Sequence, residues 1–310
     1  MCQEGGLILF SRPFRHAVNF TKSYWKKRKD IAHLMRLEKQ YGTLLLLLPT
    51  LWSLFAASEG RPSLKHLLIF ILGAFMMRSA GCVANDMADQ KLDARVERTK
   101  SRPLASRRVT MNDAISTLAL LITLSFLLVL MLNPFTILLS FAALFVALLY
   151  PFAKRVTHLP QLVLGIAFSW GIIMAWTAVR NELSAAPFFI LLANLFWATG
   201  YDTIYALMDR DDDVRIGIKS TAVLFGRQSW FAVGFFFALV ILFLTLSGRQ
   251  MQMTPVYYLS LGGIGLFFAY QSLRLRNSLS RATLFSLFRS HVWVGLTVLI
   301  GIVLNYHPLN

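Results

Sequence analysis

Along this chain, long apolar runs alternate with short basic and acidic segments. A membrane-crossing helix needs about 20 mostly apolar residues in succession. Nine runs approach that length, over 43–59, 65–84, 112–131, 134–150, 160–179, 185–205, 229–247, 254–273 and 289–306. The third and fourth are separated only by Leu132, Asn133 and Pro134, which predicts a tight turn. The pattern predicts an all-α, polytopic membrane bundle of nine transmembrane helices. Ahead of the first run, residues 12–39 interleave Arg12, Arg15, Lys22, Lys26, Lys27, Arg28 and Lys29 with Phe14, Phe20, Tyr24, Trp25, Ile31, Leu34 and Met35. That mixture predicts an amphipathic helix lying on an anionic membrane surface, with a solvated basic tail as the alternative. The expected division is an interfacial segment over 1–40 and a helical domain over 41–310. The apolar stretch Gly5–Phe10 is too short for the core of a signal peptide, so no cleaved leader is expected.

Composition agrees: 56% of residues are hydrophobic and 15% charged, against about 25% charged in soluble domains. The formal charge of +16 would fit nucleic-acid binding on a soluble basic module, but here the basic residues lie between apolar runs. With the N-terminus cytoplasmic, 26 of the 31 Lys and Arg residues fall in inner segments. Only Arg61, Lys65, Arg180 and Arg249 fall outside, and Arg78 lies within a run. Positively charged loops stay on the cytoplasmic side, so a bacterial inner-membrane protein with a periplasmic C-terminus is expected. Cys2 and Cys82 form no disulfide framework, and the six histidines show no metal-ligand spacing. No nucleophile-elbow, Walker or dinucleotide fingerprint is present.

The acids are concentrated. Nine of the fifteen lie in two segments, Asp86, Asp89, Asp93 and Glu97, then Asp202, Asp209, Asp211, Asp212 and Asp213. Each segment abuts the inner end of an apolar run, where ionisable groups are costly and point to function. Asn85, Asp89 and Asp93 recur every four residues, one face of a helix. Asp202, Asp209 and Asp213 at i, i+7 and i+11 predict a second stripe. Like charges four apart repel, so a cation is expected between the two. Oxygen-only donors suit Mg2+, which takes one or two carboxylates and completes its shell with substrate phosphates. The pair Asp89 and Asp93 recurs as Asp209 and Asp213, 120 residues on, which hints at two similar halves with one site between them. Solvated helix ends paired with nearby Arg and Lys are the alternative. A transporter would place its charges near the midplane, whereas these acids gather at one end.

The segments GCVANDMADQKLDARVERTKSRPLAS (81–106) and YDTIYALMDRDDDVRIGIKSTAVLFG (201–226), with YPFAKR (150–155), resemble the signatures of the UbiA prenyltransferase superfamily. The second motif is most similar to the branch that prenylates 4-hydroxybenzoate in ubiquinone biosynthesis. The resemblance implies a central cavity capped by cytoplasmic loops, and transfer of a polyprenyl group from polyprenyl diphosphate to the aromatic acceptor, ortho to its hydroxyl. It implies Mg2+ on Asn85, Asp86, Asp89, Asp93, Asp209 and Asp213, and diphosphate contacts from Arg98, Arg102, Lys154 and Lys219. Asp202 is expected to polarise the phenol, and Arg155, in preference to Arg78, to face the acceptor's carboxylate. Membrane lipid is an expected partner and nucleic acid is not. A naphthoate, homogentisate or a haem precursor remains open as the acceptor.

Overall fold

The computed structural model describes residues 26–96 and 99–307, apart from the side chain of Lys154. Among them every regular element is helical. A short surface helix, α1 (Arg28–Leu34), precedes α2 (Tyr41–Ala57), α3 (Leu64–Asp93), α4 (Met111–Val129) and α5 (Pro134–Leu149). A 3-10 turn and a four-residue helix, α6 (Ala153–Val156), lead to α7 (Pro160–Arg180) and α8 (Ala185–Ala206). Two short helices, α9 (Arg210–Ile216) and α10 (Thr221–Phe225), then precede α11 (Ser229–Gln250), α12 (Pro255–Arg274) and α13 (Arg281–Tyr306).

Each of the nine expected apolar runs is a helix. By length and apolarity together, six qualify as spans among the described residues: α3, α4, α5, α7, the α10–α11 stretch and α13. That makes the chain a multi-pass integral membrane protein. The other three differ for visible reasons. The helix α2 has only 17 residues; α8 carries Asn194, Thr199, Tyr201, Asp202 and Thr203; and α12 carries Gln271, Ser272 and Arg274.

Local chemistry sets the ends. Ser63 accepts from the amide of His66 at the start of α3, and Thr110 and Asp113 form a reciprocal capping box on α4. The expected tight turn before α5 is held by Asn133. Its Oδ1 accepts from the Thr136 amide at 2.9 Å while its Nδ2 donates to the Thr177 carbonyl at 2.7 Å. Pro134 follows at the first helical position, where its missing N–H costs nothing.

The main core joins α2, α7, α8, α11, α12 and α13. Trp52 and Trp197 pack with ring centroids 5.1 Å apart. The Trp52 indole donates to the Gly295 carbonyl, and the Trp197 indole to Nδ1 of the fully buried His291, both at 2.8 Å. Because an indole only donates, Nδ1 is the acceptor and His291 carries its proton on Nε2. Gly295 permits this approach, since a Cβ there would stand 2.7 Å from Leu48 and 3.0 Å from Trp197. A smaller core of Leu34, Ala80, Val83, Leu104, Val109, Ala114 and Leu121 ties α1 and the loop after α3 to α3 and α4.

Replacing His291 by Ala should empty a buried ring volume and strip the Trp197 indole of its acceptor, costing about 2–4 kcal/mol. His291→Phe keeps the volume and should cost about 1 kcal/mol. Thermal unfolding in detergent micelles reads both: equal midpoints for the two variants would contradict the volume effect, and an unchanged midpoint in His291→Phe would contradict the hydrogen-bond assignment.

Candidate active-site cavity

The first acidic segment rides on one continuous helix. Asn85, Asp86, Asp89 and Asp93 all lie in the last three turns of α3, and the three carboxylates are buried. The second segment departs from the expected single stripe. The helix α8 stops at Ala206, three turn residues follow, and α9 restarts at Arg210 with Asp209 at its N-cap. Asp202 therefore belongs to one helix and Asp213 to another. Gly217, at φ +71°, ends α9 in the left-handed conformation that glycine adopts without penalty.

Between the two cores lies a cavity of about 910 Å³. Its polar end is formed by Arg36, Lys39, Arg78, Asn85, Asp86, Arg102 and Asp202, with Tyr41, Tyr150, Tyr201 and Tyr205. Its apolar shaft runs along Ile69, Phe70, Ile122, Phe126, Leu128, Val129, Leu132, Phe141 and Leu144. Phe126 of α4 and Phe141 of α5 line this shaft and are also exposed on the outside of the bundle, with ring centroids 5.8 Å apart.

Three of the expected site residues thus share the cavity wall with Asn85: Asp86, Arg102 and Asp202. Asp89, Asp93, Asp209 and Asp213 do not line it. Asp209 is buried at the α8–α9 break and Asp213 is half-buried on α9. Lys219 donates to the Val156 carbonyl at 3.3 Å, in the loop region beside α6. Arg155 is exposed, donates to the Ala88 carbonyl and rests over the Phe152 ring, so its guanidinium faces away from the cavity wall. Arg98 and the Lys154 side chain lie outside the described residues.

At the polar end Arg102 bridges two motif carboxylates, with Nη1 at 3.0 Å from Asp86 and 2.8 Å from Asp93. A single nitrogen of Arg36, Nη2, donates to both oxygens of Asp86 at 2.8 Å, a charge-assisted contact. Buried carboxylates are tolerated only when paired, and these two arginines meet that demand. Arg36 belongs to the segment after α1, whose sequence reads only as a basic surface helix. Further ion pairs, Lys27 with Asp113 at 2.7 Å and Asp30 with Arg108, fasten the same segment across the loop after α3. Residues 12–25 of the expected interfacial helix lie outside the described residues, but in the described part Ile31 and Leu34 are buried against protein.

Deeper in the cavity, Arg78 makes one hydrogen bond, to Cys82, and packs against Gly42, where a Cβ would come within 2.7 Å of its guanidinium. Its Nε is buried without an acceptor. No motif aspartate among the described residues pairs with Arg78. Among the described residues no three His, Cys, Asp or Glu side chains stand close enough to cage a metal unaided. Magnesium does not require that: one or two oxygens from each acidic segment, with phosphate and water completing the shell, suit the donors present.

The sequence model of the UbiA prenyltransferase family matches residues 46–292. The chain belongs to the UbiA prenyltransferase family. It is 47% identical over 290 residues to a 4-hydroxybenzoate octaprenyltransferase of Vibrio vulnificus, covering 94% of this chain and 99% of that protein. A 4-hydroxybenzoate octaprenyltransferase of Serratia proteamaculans is 49% identical over 280 residues, 90% of this chain and 96% of that protein. Among solved structures, the apo UbiA homolog from Aeropyrum pernix superposes with a TM-score of 0.71 at 24% identity, over 84% of this chain and 97% of that one. A UbiA homolog from Archaeoglobus fulgidus bound to GPP and Mg2+ gives 0.65 at 15% identity, over 88% and 99%. These distant structures share the UbiA fold with this chain, and the prenyltransferase motifs of its sequence coincide with the matched region.

Arg102→Ala should leave Asp93 without this partner and Asp86 with Arg36 alone. Because Arg102 is partly exposed, the expected loss is about 1–2 kcal/mol, below the value for a fully buried pair. Thermal unfolding checks it, and an unchanged midpoint would show that the bridge is not structural.

Proposed function

We propose that this UbiA-family prenyltransferase transfers a polyprenyl group from its diphosphate to 4-hydroxybenzoate, ortho to the hydroxyl, as a step of ubiquinone biosynthesis. The observation that carries the reading is one cavity joining a carboxylate-and-arginine pole to an apolar shaft, with a buried guanidinium between them. Relatives of nearly the same length at 47–49% identity, named as 4-hydroxybenzoate octaprenyltransferases, support the acceptor.

In this reading Asn85, Asp89, Asp93, Asp209 and Asp213 hold Mg2+, which when bound supplies charge neutralisation to the departing diphosphate. Asp86, also expected among those ligands, instead anchors Arg36 and Arg102 at the cavity wall. Arg102, Arg98, Lys154 and Lys219 face the phosphate oxygens. The allylic C–O bond breaks and its electron pair leaves with diphosphate; the ring carbon ortho to the phenol forms the new C–C bond and then loses its proton. Asp202, in the wall beside Tyr201, accepts a hydrogen bond from the phenol and raises the electron density of the ring. The acceptor's carboxylate pairs with Arg78 in preference to Arg155, because Arg78 faces the cavity and Arg155 does not. The prenyl tail occupies the shaft and leaves between α4 and α5, where Phe126 and Phe141 are reached from both sides. The N-terminus and motif loops are cytoplasmic and the C-terminus periplasmic.

Vesicles containing the protein, given radiolabelled 4-hydroxybenzoate, a polyprenyl diphosphate and Mg2+, should form prenylated product. Chelation should abolish it, and Asp89→Ala or Asp209→Ala should lower the rate by about 100-fold or more. Full activity in both variants would remove the metal assignment, and use of a naphthoate in place of 4-hydroxybenzoate would remove the acceptor. For orientation, a cysteine placed at Lys100 should react with impermeant maleimide only from the cytoplasmic side.

A further inference from the structure

Two hydrogen-bond donors at the polar end of the cavity have no acceptor among the described residues. One is Nε of Arg78. The other is the hydroxyl of Tyr201, a residue 1% exposed whose side chain lines the same cavity and whose oxygen meets no partner among the described residues. A buried donor without an acceptor forfeits its hydration, so two in one cavity mark a place where a bound group restores both bonds.

Both donors are held in place. The guanidinium of Arg78 lies against Gly42. The Tyr201 ring meets Trp197 edge-on with centroids 5.3 Å apart, and it packs on Phe288 at 5.8 Å and His291 at 5.5 Å. Trp197 is itself fixed by its hydrogen bond to His291. A tyrosine oxygen lies on the ring axis, so clamping the ring fixes the oxygen whatever the flip of the ring. Depth agrees as well. Arg78 precedes Asn85 by seven residues and Tyr201 precedes Asp209 by eight. On α3 that places Arg78 roughly 10 Å from Asn85 at 1.5 Å per helical residue, and Tyr201 lies five residues before α8 ends at Ala206.

We infer that Tyr201 is a specificity-determining residue, its hydroxyl donating to the acceptor carboxylate that Arg78 pairs with. The inference rests on the proposed acceptor reaction. A carboxylate only accepts hydrogen bonds, which matches a site built from a guanidinium and a phenol hydroxyl. The acceptor's own hydroxyl needs a hydrogen-bond acceptor, and Asp202 offers one in the same wall.

The test uses the full chain in lipid nanodiscs, with 4-hydroxybenzoate and its neutral analogue 4-hydroxybenzyl alcohol as acceptors. Tyr201→Phe should raise KM for 4-hydroxybenzoate about 10-fold, the effect of losing one charge-assisted hydrogen bond. Its kcat, its KM for the prenyl diphosphate and its kinetics with the neutral analogue should match the unchanged protein. Its thermal midpoint without acceptor should be equal or higher, because an unsatisfied hydroxyl has been removed. An unchanged KM for 4-hydroxybenzoate overturns the inference, as does an equal loss with both acceptors. A variant that unfolds also overturns it, by showing that the hydroxyl has a structural partner. If the unchanged protein prenylates no carboxylate acceptor, the reaction reading itself falls and takes this inference with it, an outcome distinct from an unaffected variant.

Discussion

Buried carboxylates require a counter-charge, and the polar end of this bundle is organised by that demand. Asp86 and Asp93 are almost sealed from solvent and share Arg102; Asp86 is also gripped by Arg36. A carboxylate left alone in such surroundings would cost several kcal/mol. The arginines must therefore come from somewhere, and they come from two directions. Arg102 is carried by the loop after α3, and Arg36 by the segment that follows α1. Both would otherwise be loosely held chain between helices. The ion pairs draw them over the cavity mouth, and the apolar cluster around Leu34, Leu104 and Val109 keeps them there. Charge compensation in the motif and closure of the cap are thus one interaction.

The other side of the cavity is rigid for an unrelated reason. Trp52, Trp197, Phe237, Phe268 and His291 form an aromatic platform joining α2, α8, α11, α12 and α13, with both indoles hydrogen-bonded. Inside a bilayer, packing and interhelical hydrogen bonds carry the stability that the hydrophobic effect supplies in water. This platform supports the helix that bears Tyr201 and Asp202. The cavity therefore lies between a wall set by electrostatics and a wall set by packing, and a reacting cation inside it is shielded from water by both.

Much of this was legible in the residues. The apolar runs located all nine long helices, and the four-residue spacing of Asn85, Asp89 and Asp93 correctly implied one helical face. The second stripe failed because spacing alone does not reveal a chain break. The three residues at 207–209 carry no Gly or Pro, and Leu207 and Met208 instead pack with the main core. Six helices rather than nine meet the length and apolarity of a span because α2 has only 17 residues and α8 and α12 carry polar side chains. Arg36 was illegible. In a segment dense with Lys and Arg, nothing in one sequence tells the residue that turns inward onto Asp86 from its basic neighbours. Arg78 did announce itself, as the one basic residue inside a run, but its partner could not be read. The mark of its position is Gly42, a small residue on another helix whose significance appears only when the two are seen 2.7 Å apart.

The arginines that pair with the motif carboxylates bear directly on how a diphosphate would be received. A phosphate oxygen competing for Arg102 must displace Asp86 or Asp93, and a displaced carboxylate would be left buried without its partner unless a cation arrived with the substrate. Magnesium accompanying the diphosphate satisfies both sides of that exchange. The guanidinium trades one anion for another, and Asp93 trades one cation for another, with no net burial of charge. Binding of metal and of diphosphate should therefore be mutually dependent, a coupling that acts on each affinity by the same factor. A site prepared with free arginines would bind phosphate without metal and give up that requirement. On the proposed reading, the ion pairs seen here would make the metal a condition of entry, and a cap of like-charged aspartates could then face a substrate that is itself an anion.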